Sequence, residues 1–213
     1  MNVLLIFAAY LVGAFPTSYL IGKWHRVDLE KEGSGNLGAT NVYRVLGFTP
    51  ALAVVSVDLF KGFFPVWFFP QWDGHAGAWE LAYGFSAILG HCWPIYTRFR
   101  GGKGVATAAG TLLAVAPVAL LIALFVWIGT LLLTRIASLA SLMAATLIPL
   151  LARGAEAPTP IVLYALLLAS LVWWRHRTNL VRLAQRKELV LRFGKDRRRL
   201  IKEEEEESET REG

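Results

Sequence analysis

The thirty residues VATAAGTLLAVAPVALLIALFVWIGTLLLT, positions 105–134, contain no charged side chain, and how often they cross a bilayer decides the fold. A spanning helix needs about 20 apolar residues, so the stretch is too long for one crossing and too short for two full ones. The flanking charge separates the alternatives. A single crossing would put Arg135 and the later block of Arg175, Arg177, Arg182, Arg186, Lys187, Arg192 and Lys195 on the outer side, against the bias that keeps Lys and Arg in the cytoplasm. Folding back at Pro117, where a missing N–H and a fixed φ end a helix, keeps all of them inside and leaves only Arg153 out. The sequence therefore predicts an all-α integral membrane bundle of seven transmembrane segments, two of them short around Pro117, with the N-terminus out and the C-terminus in. Helices too short to span alone are tolerated only where protein covers them or a polar cavity needs them.

The rest of the chain agrees with a multi-pass membrane protein. Of 213 residues, 55% are hydrophobic and only 18% charged, with the charges gathered in blocks. Residues 3–22 carry no charge and follow Met-Asn rather than a basic n-region, so they read as a retained helix and not as a signal peptide. Runs at 51–70, 78–96, 137–152 and 161–174 supply further segments, while Trp72 and Trp79 mark an outer interface. Asp58 and Lys61, three residues apart, share one helical face at mid-membrane depth, and His91 adds a third polar side chain within a span. These three read as structural polar groups that neutralise one another or serve a site. The net charge of +6 sits at the ends of apolar runs, which points to topology rather than nucleic acid. A single Cys92 excludes an internal disulfide, and His25, His75, His91 and His176 have no metal-ligand spacing. One domain, 1–201, and an acidic disordered tail, 202–213, complete the expected organisation.

Between the first two runs lies GSGNLGATNVYR, residues 33–44. Gly33, Gly35 and Gly38 are read as positive-φ positions that turn backbone N–H groups toward one point. Ser34, Asn36, Thr40 and Asn41 add short donors and Arg44 a guanidinium fork, a set suited to phosphate. The competing readings are a polar connector between helices and a dinucleotide-binding GxGxxG with Asp58 as the ribose acid. The second lacks the preceding strand that motif requires. A second basic loop carries Gly101, Gly102, Lys103 and Gly104. The full GxxxxGK[ST] pattern is absent, yet glycines around a lysine at a helix start make an anion cradle. The third segment offers His176 and Asn179, on one helical face if the seventh helix continues inward; the plainer reading of His176 is an interfacial anchor beside Trp173 and Trp174. All three segments fall on the cytoplasmic side and form a pocket rich in cations and poor in carboxylates, Glu188 being assigned to the tail. Clustered oxygens for a divalent metal are missing, and no cofactor is expected.

Ser34 to Arg44, Asp58-Leu-Phe-Lys-Gly62, His91-Cys-Trp-Pro with residues 99–107, and residues 176–182 resemble, in order, the signature segments of the bacterial acyl-phosphate:glycerol-3-phosphate acyltransferases. One departure is Arg186, where that family has a glycine. The resemblance implies an enzyme of the cell inner membrane, its active site facing the cytoplasm, that moves a fatty acyl group from acyl phosphate to the 1-hydroxyl of sn-glycerol 3-phosphate. It implies release of lysophosphatidic acid and phosphate for phospholipid synthesis, surrounding membrane lipid, no nucleic acid, and an acyl-phosphate-producing enzyme as a partner. Ser34, Arg44, Lys103, His176 and Asn179 are the expected catalytic residues, and Ser34, Gly35, Asn36, Gly38, Thr40, Asn41, Arg44, Gly102, Lys103, Gly104, His176 and Asn179 the expected phosphate and substrate contacts. The proton acceptor stays open between His176 and the substrate's own phosphate. Alternatives are an acyl-Ser34 intermediate, a membrane transporter of organic phosphates gated by Asp58 and Lys61, and a metal-dependent phosphoalcohol transferase.

Overall fold

The computed structural model describes residues 2–74 and 79–193; His75 and the acidic tail lie outside the described residues. Ten α-helices and one 3-10 turn, with no strand among the described residues, run in the order α1 (Asn2–Gly13), α2 (Thr17–Trp24), α3 (Ala39–Leu46), α4 (Phe48–Asp73), α5 (Glu80–Cys92), α6 (Val105–Val115), α7 (Pro117–Thr134), α8 (Ala137–Gly154), α9 (Thr159–Arg175) and α10 (Arg177–Ala184). Four stretches are long and apolar enough to cross a membrane, namely Asn2–Trp24, Phe48–Asp73, Pro117–Thr134 and Ala137–Gly154, and a bent α9–α10 pair makes up to five. The outward faces of α7 and α8 expose Phe125, Leu132, Leu133 and Leu150, which suits lipid contact.

Proline explains two of the helix breaks, although Pro65 and Pro70 lie inside α4 and Pro149 inside α8. The chain breaks at Ala116 as expected, with Pro117 at the first turn of α7, where its missing N–H costs nothing. Only one of the two resulting helices is short, however. α6 has 11 residues and α7 has 18, enough for a full crossing at about 1.5 Å per residue. The first apolar run is also not one helix: Pro16 separates α1 from α2, because it cannot donate to the ladder and disfavours helical geometry at Phe15. At this break the Phe15 carbonyl accepts hydrogen bonds from Thr17 N at 3.0 Å and from Lys61 Nζ at 3.1 Å.

Lys61 also pairs with Asp58 at 2.8 Å, both side chains being about 5% exposed or less. Thr17 Oγ1 donates to the same carboxylate at 3.3 Å, and His91 Nδ1 stands 3.7 Å from it. The buried ions are thus matched by a partner of opposite charge and by the polar groups that the helix break exposes.

Close helix contact fixes the rest. A Cβ on Gly62 would lie 2.0 Å from the Thr107 carbonyl oxygen, and one on Gly110 would lie 2.0 Å from that of Leu59, so α4 and α6 touch backbone to backbone. α1 and α5 meet the same way through Gly13 and Gly90. A separate apolar cluster of Leu29, Leu37, Val42, Ala51 and Val54 pins the segment before α4, including α3, onto α4 itself. That segment is therefore a folded unit rather than a flexible connector.

Candidate active site

Asn41 organises the first polar segment. It is fully buried, and its Oδ1 accepts from both Ser34 N (2.7 Å) and Ser34 Oγ (3.0 Å). Its Nδ2 donates to the carbonyls of Leu29 (3.1 Å) and Glu32 (3.0 Å), so the side chain holds the loop together instead of facing a ligand. Gly33 and Gly35 have the expected positive φ of 61° and 70°. Gly38 does not: its φ of −150° is extended backbone that any residue adopts, at the N-cap of α3. A Cβ there would come within 2.9 Å of Asn36 Nδ2, the end of a side chain that can swing away, so neither φ nor space demands glycine. Thr40 and Asn36 are half-buried beside it.

Arg44, at the last turn of α3, donates from Nη2 to the Leu189 carbonyl at 3.1 Å, while its Nε is buried without a partner. Lys103, between the glycines that lead into α6, reaches Asn179 Oδ1 at 2.5 Å. Gly104 caps α6 with φ 82°, a conformation that favours glycine. Burial pushes the Lys103 ammonium down to about 8; Glu188 opposes that, while Arg182, Arg44 and Arg175 reinforce it. Arg44 and Lys103 border one return segment: Arg44 holds the Leu189 carbonyl, and Asn179, the partner of Lys103, holds the neighbouring Glu188.

The third segment does not continue straight. The chain bends by 59° at His176 between α9 and α10, which turns His176 and Asn179 into the protein, each 3% exposed. Trp173 and Trp174 remain about half exposed, so His176 is no interfacial anchor. Its Nδ1 lies 2.8 Å from the Val172 carbonyl; with the proton on that nitrogen, Nε2 keeps its lone pair.

The pocket is less poor in acid than expected. After α10 the chain turns through Arg186 and runs back across the site. Glu188 accepts from Asn179 Nδ2 at 2.7 Å and from Arg182 Nε at 2.9 Å. Burial opposes the Glu188 carboxylate, but the bonds from Arg182 and Asn179 outweigh it and hold the group below its ordinary range. Beyond Glu188, Leu191 N donates to the Arg135 carbonyl at 2.7 Å and Tyr43 Oη to the Arg192 carbonyl at 3.1 Å. Arg175 donates to the Gly102 carbonyl at 2.6 Å. Sequence reasoning counted Arg175 only as a topology charge and Glu188 as tail, since neither spacing nor composition shows that the chain doubles back. Among the described residues no group of three or more His, Cys, Asp and Glu is placed to hold a metal ion.

An apolar groove opens between α6, α7, α8 and α9, lined by Val105, Ala108, Ala144, Ala145, Ile148 and Val172 among others. A second, polar cavity behind the Gly101–Gly102 peptides is bounded by Thr17, Asp58, Lys61 and His91. Asp58, Lys61 and His91 thus share a cavity with Gly101 and Gly102. Lys103 leads into α6 and Arg175 ends α9, two of the helices that wall the groove, an arrangement that suits an anionic head on an apolar tail in a membrane protein.

The family described as Glycerol-3-phosphate acyltransferase matches residues 3–186. The chain is 46% identical over 183 residues to the glycerol-3-phosphate acyltransferase of Gloeobacter violaceus, covering 84% of this chain and 89% of that one. With the enzyme of Geobacter sulfurreducens it shares 42% over 184 residues, 86% and 94% of the two chains. Among solved structures it is similar to PlsY (YgiH), an integral membrane glycerol 3-phosphate acyltransferase, in its glycerol 3-phosphate form: TM-score 0.84, 36% identity, 90% of this chain and 96% of that one. The same protein in its lysophosphatidic acid form gives a TM-score of 0.82. This chain belongs to the glycerol-3-phosphate acyltransferase family.

Proposed function

We propose that the protein transfers a fatty acyl group from acyl phosphate to the 1-hydroxyl of sn-glycerol 3-phosphate, giving lysophosphatidic acid and phosphate for phospholipid synthesis. The observation that carries this reading is the Lys103–Asn179 bond of 2.5 Å, which joins the second and third polar segments, with Arg44 of the first tied to them through Leu189 and Glu188. Both substrates bear phosphate, and one bears a chain that matches the apolar groove. In this account Arg44 and Lys103 hold the phosphates by charge-assisted hydrogen bonds, helped by Ser34 and by the backbone at Gly104, whereas the N–H groups of Gly35 and Gly102 are donated to the carbonyls of Glu32 (3.0 Å) and His91 (3.2 Å). Asn179 and His176 orient glycerol 3-phosphate. Its hydroxyl oxygen attacks the acyl carbonyl carbon, Lys103 stabilises the oxyanion, and the bond to the phosphate oxygen breaks with that oxygen keeping the electron pair. The hydroxyl proton goes to His176 Nε2 or to the departing phosphate. Ser34 donates from both N and Oγ to Asn41 Oδ1, an amide oxygen too weakly basic to activate a nucleophile, which favours direct transfer over an acyl-serine.

The topology we propose has seven segments, α1–α2, α4, α5, α6, α7, α8 and α9, with the N-terminus out. Its support is the set of contacts at one end: Arg100 with Glu30 at 3.0 Å, Arg44 with Leu189, and Leu191 with Arg135. That basic end faces the cytoplasm of the inner membrane under the positive-inside rule. Residues 1–201 form one domain, and the donor comes from an acyl-phosphate-producing enzyme on that side.

Purified protein supplied with glycerol 3-phosphate should form lysophosphatidic acid with acyl phosphate and none with acyl-CoA. Product from acyl-CoA alone would refute the donor assignment. Uptake of glycerol 3-phosphate into vesicles without product would replace the enzyme by a transporter.

A further inference from the structure

Lys103 is delivered by a glycine-rich loop that has no intrinsic stiffness, so something outside the loop must hold it. From the membrane side the holder is His91. Its carbonyl accepts the Gly102 N–H at 3.2 Å, and its Nε2 would stand 2.2 Å from a Cβ on Gly102, leaving room for glycine alone. On the other side stands Arg175, the last residue of α9. One guanidinium nitrogen, Nη2, donates to the Gly102 carbonyl at 2.6 Å and lies 3.5 Å from that of Gly101. The guanidinium carbon sits 5.0 Å from the centre of the Trp93 ring, which itself packs against Trp174 at 5.6 Å. Stacking on a ring and a hydrogen bond to a carbonyl together fix the plane of the guanidinium. The residue that follows Gly102 is Lys103, and the residue four places after Arg175 is its partner Asn179.

We propose that Arg175 is the positioning residue for Lys103: it clamps the Gly102 carbonyl against the α9–α10 bend and sets Lys103 Nζ at the reacting acyl phosphate. The inference rests on the acyl-transfer reading and extends it to a residue outside the phosphate-binding set. Arg175 acts through the loop, not on substrate. Because its Nε is buried and makes no hydrogen bond, direct contact with a substrate phosphate is the competing role.

Steady-state kinetics of Arg175→Ala, Lys103→Ala and the double variant, with acyl phosphate and glycerol 3-phosphate, separate the two. Positioning predicts that Arg175→Ala lowers kcat by roughly 10- to 100-fold, leaves both KM values within about threefold, and costs little more when Lys103 is already alanine. A KM that rises by the same factor with kcat unchanged overturns the proposal in favour of substrate contact. Losses that multiply in the double variant, or an Arg175→Ala enzyme with full activity, overturn it outright. If Arg175→Ala is not recovered as a folded protein, Trp93→Leu, which removes only the stacking surface, goes through the same cycle: a smaller kcat loss that vanishes beside Lys103→Ala supports the clamp, and one that persists refutes it. A wild-type protein that makes no lysophosphatidic acid defeats the functional reading itself, which is a different result from any of these.

Discussion

In the proposed reaction Lys103 is the side chain that carries the chemistry, and its environment makes a testable demand. With its ammonium pushed down to about 8, the charge is present below that pH and lost as pH rises through it. The plot of kcat/KM against pH should therefore fall on its basic side near 8, and that limb should disappear in Lys103→Arg, whose charge does not titrate. Lys103→Ala should lose roughly 10²- to 10³-fold in kcat/KM, the range for removing one donor to a developing oxyanion. His176→Ala distinguishes the proton acceptors: we expect kcat to fall by about 10²-fold or more, whereas near-normal kcat with raised KM would assign the proton to the substrate phosphate. Much of this site was legible in the residues. Arg44, Lys103, His176 and Asn179 stood out because guanidinium, ammonium, imidazole and amide groups in glycine-rich or helix-end settings have few structural uses there. Asn41 was read as a ligand contact and turns out to brace Ser34, because a residue list does not tell a donor aimed outward from one consumed by its own loop.

Helix ends were the most readable elements, since proline acts locally. Pro117 marks the α6–α7 break and Pro16 the unforeseen one between α1 and α2. The second is hidden because the apolar run is unbroken in composition, and its consequence, a Phe15 carbonyl shared by Thr17 N and Lys61 Nζ, depends on a helix remote in sequence. The bend at His176 and the return of residues 187–193 were illegible for a related reason: tertiary contacts with Tyr43, Arg44 and Arg135 hold that segment, not any local pattern. Arg186 adds a local clue. Its φ of 55° lies in the left-handed region just past α10, where glycine is favoured. Arg186→Gly should leave activity intact and stabilise the fold by up to about 1 kcal/mol, measured as a small rise in thermal midpoint. Gly62→Leu should do the reverse. Forcing α4 off α6 at a backbone contact should cost about 3 kcal/mol or more, seen as loss of monodisperse protein in detergent.

At the scale of the molecule, the apolar composition specified a helical membrane bundle and the basic loops specified that their ends gather together. The arrangement suits the proposed reaction, in which both substrates carry phosphate, one is water-soluble, and the other has a tail that belongs in lipid. The short α6 and the bent α9–α10 pair bring the polar loops down to the mouth of an apolar groove, so one site can hold both kinds of group. The central claim is direct acyl transfer at that single site, and following phosphate and lysophosphatidic acid together in one time course with purified protein tests it most directly. We predict that the two appear one for one, that neither forms without glycerol 3-phosphate, and that both rates collapse in Lys103→Ala. Phosphate released at full rate in the absence of glycerol 3-phosphate, or lysophosphatidic acid formed at an undiminished rate by Lys103→Ala, would contradict the account.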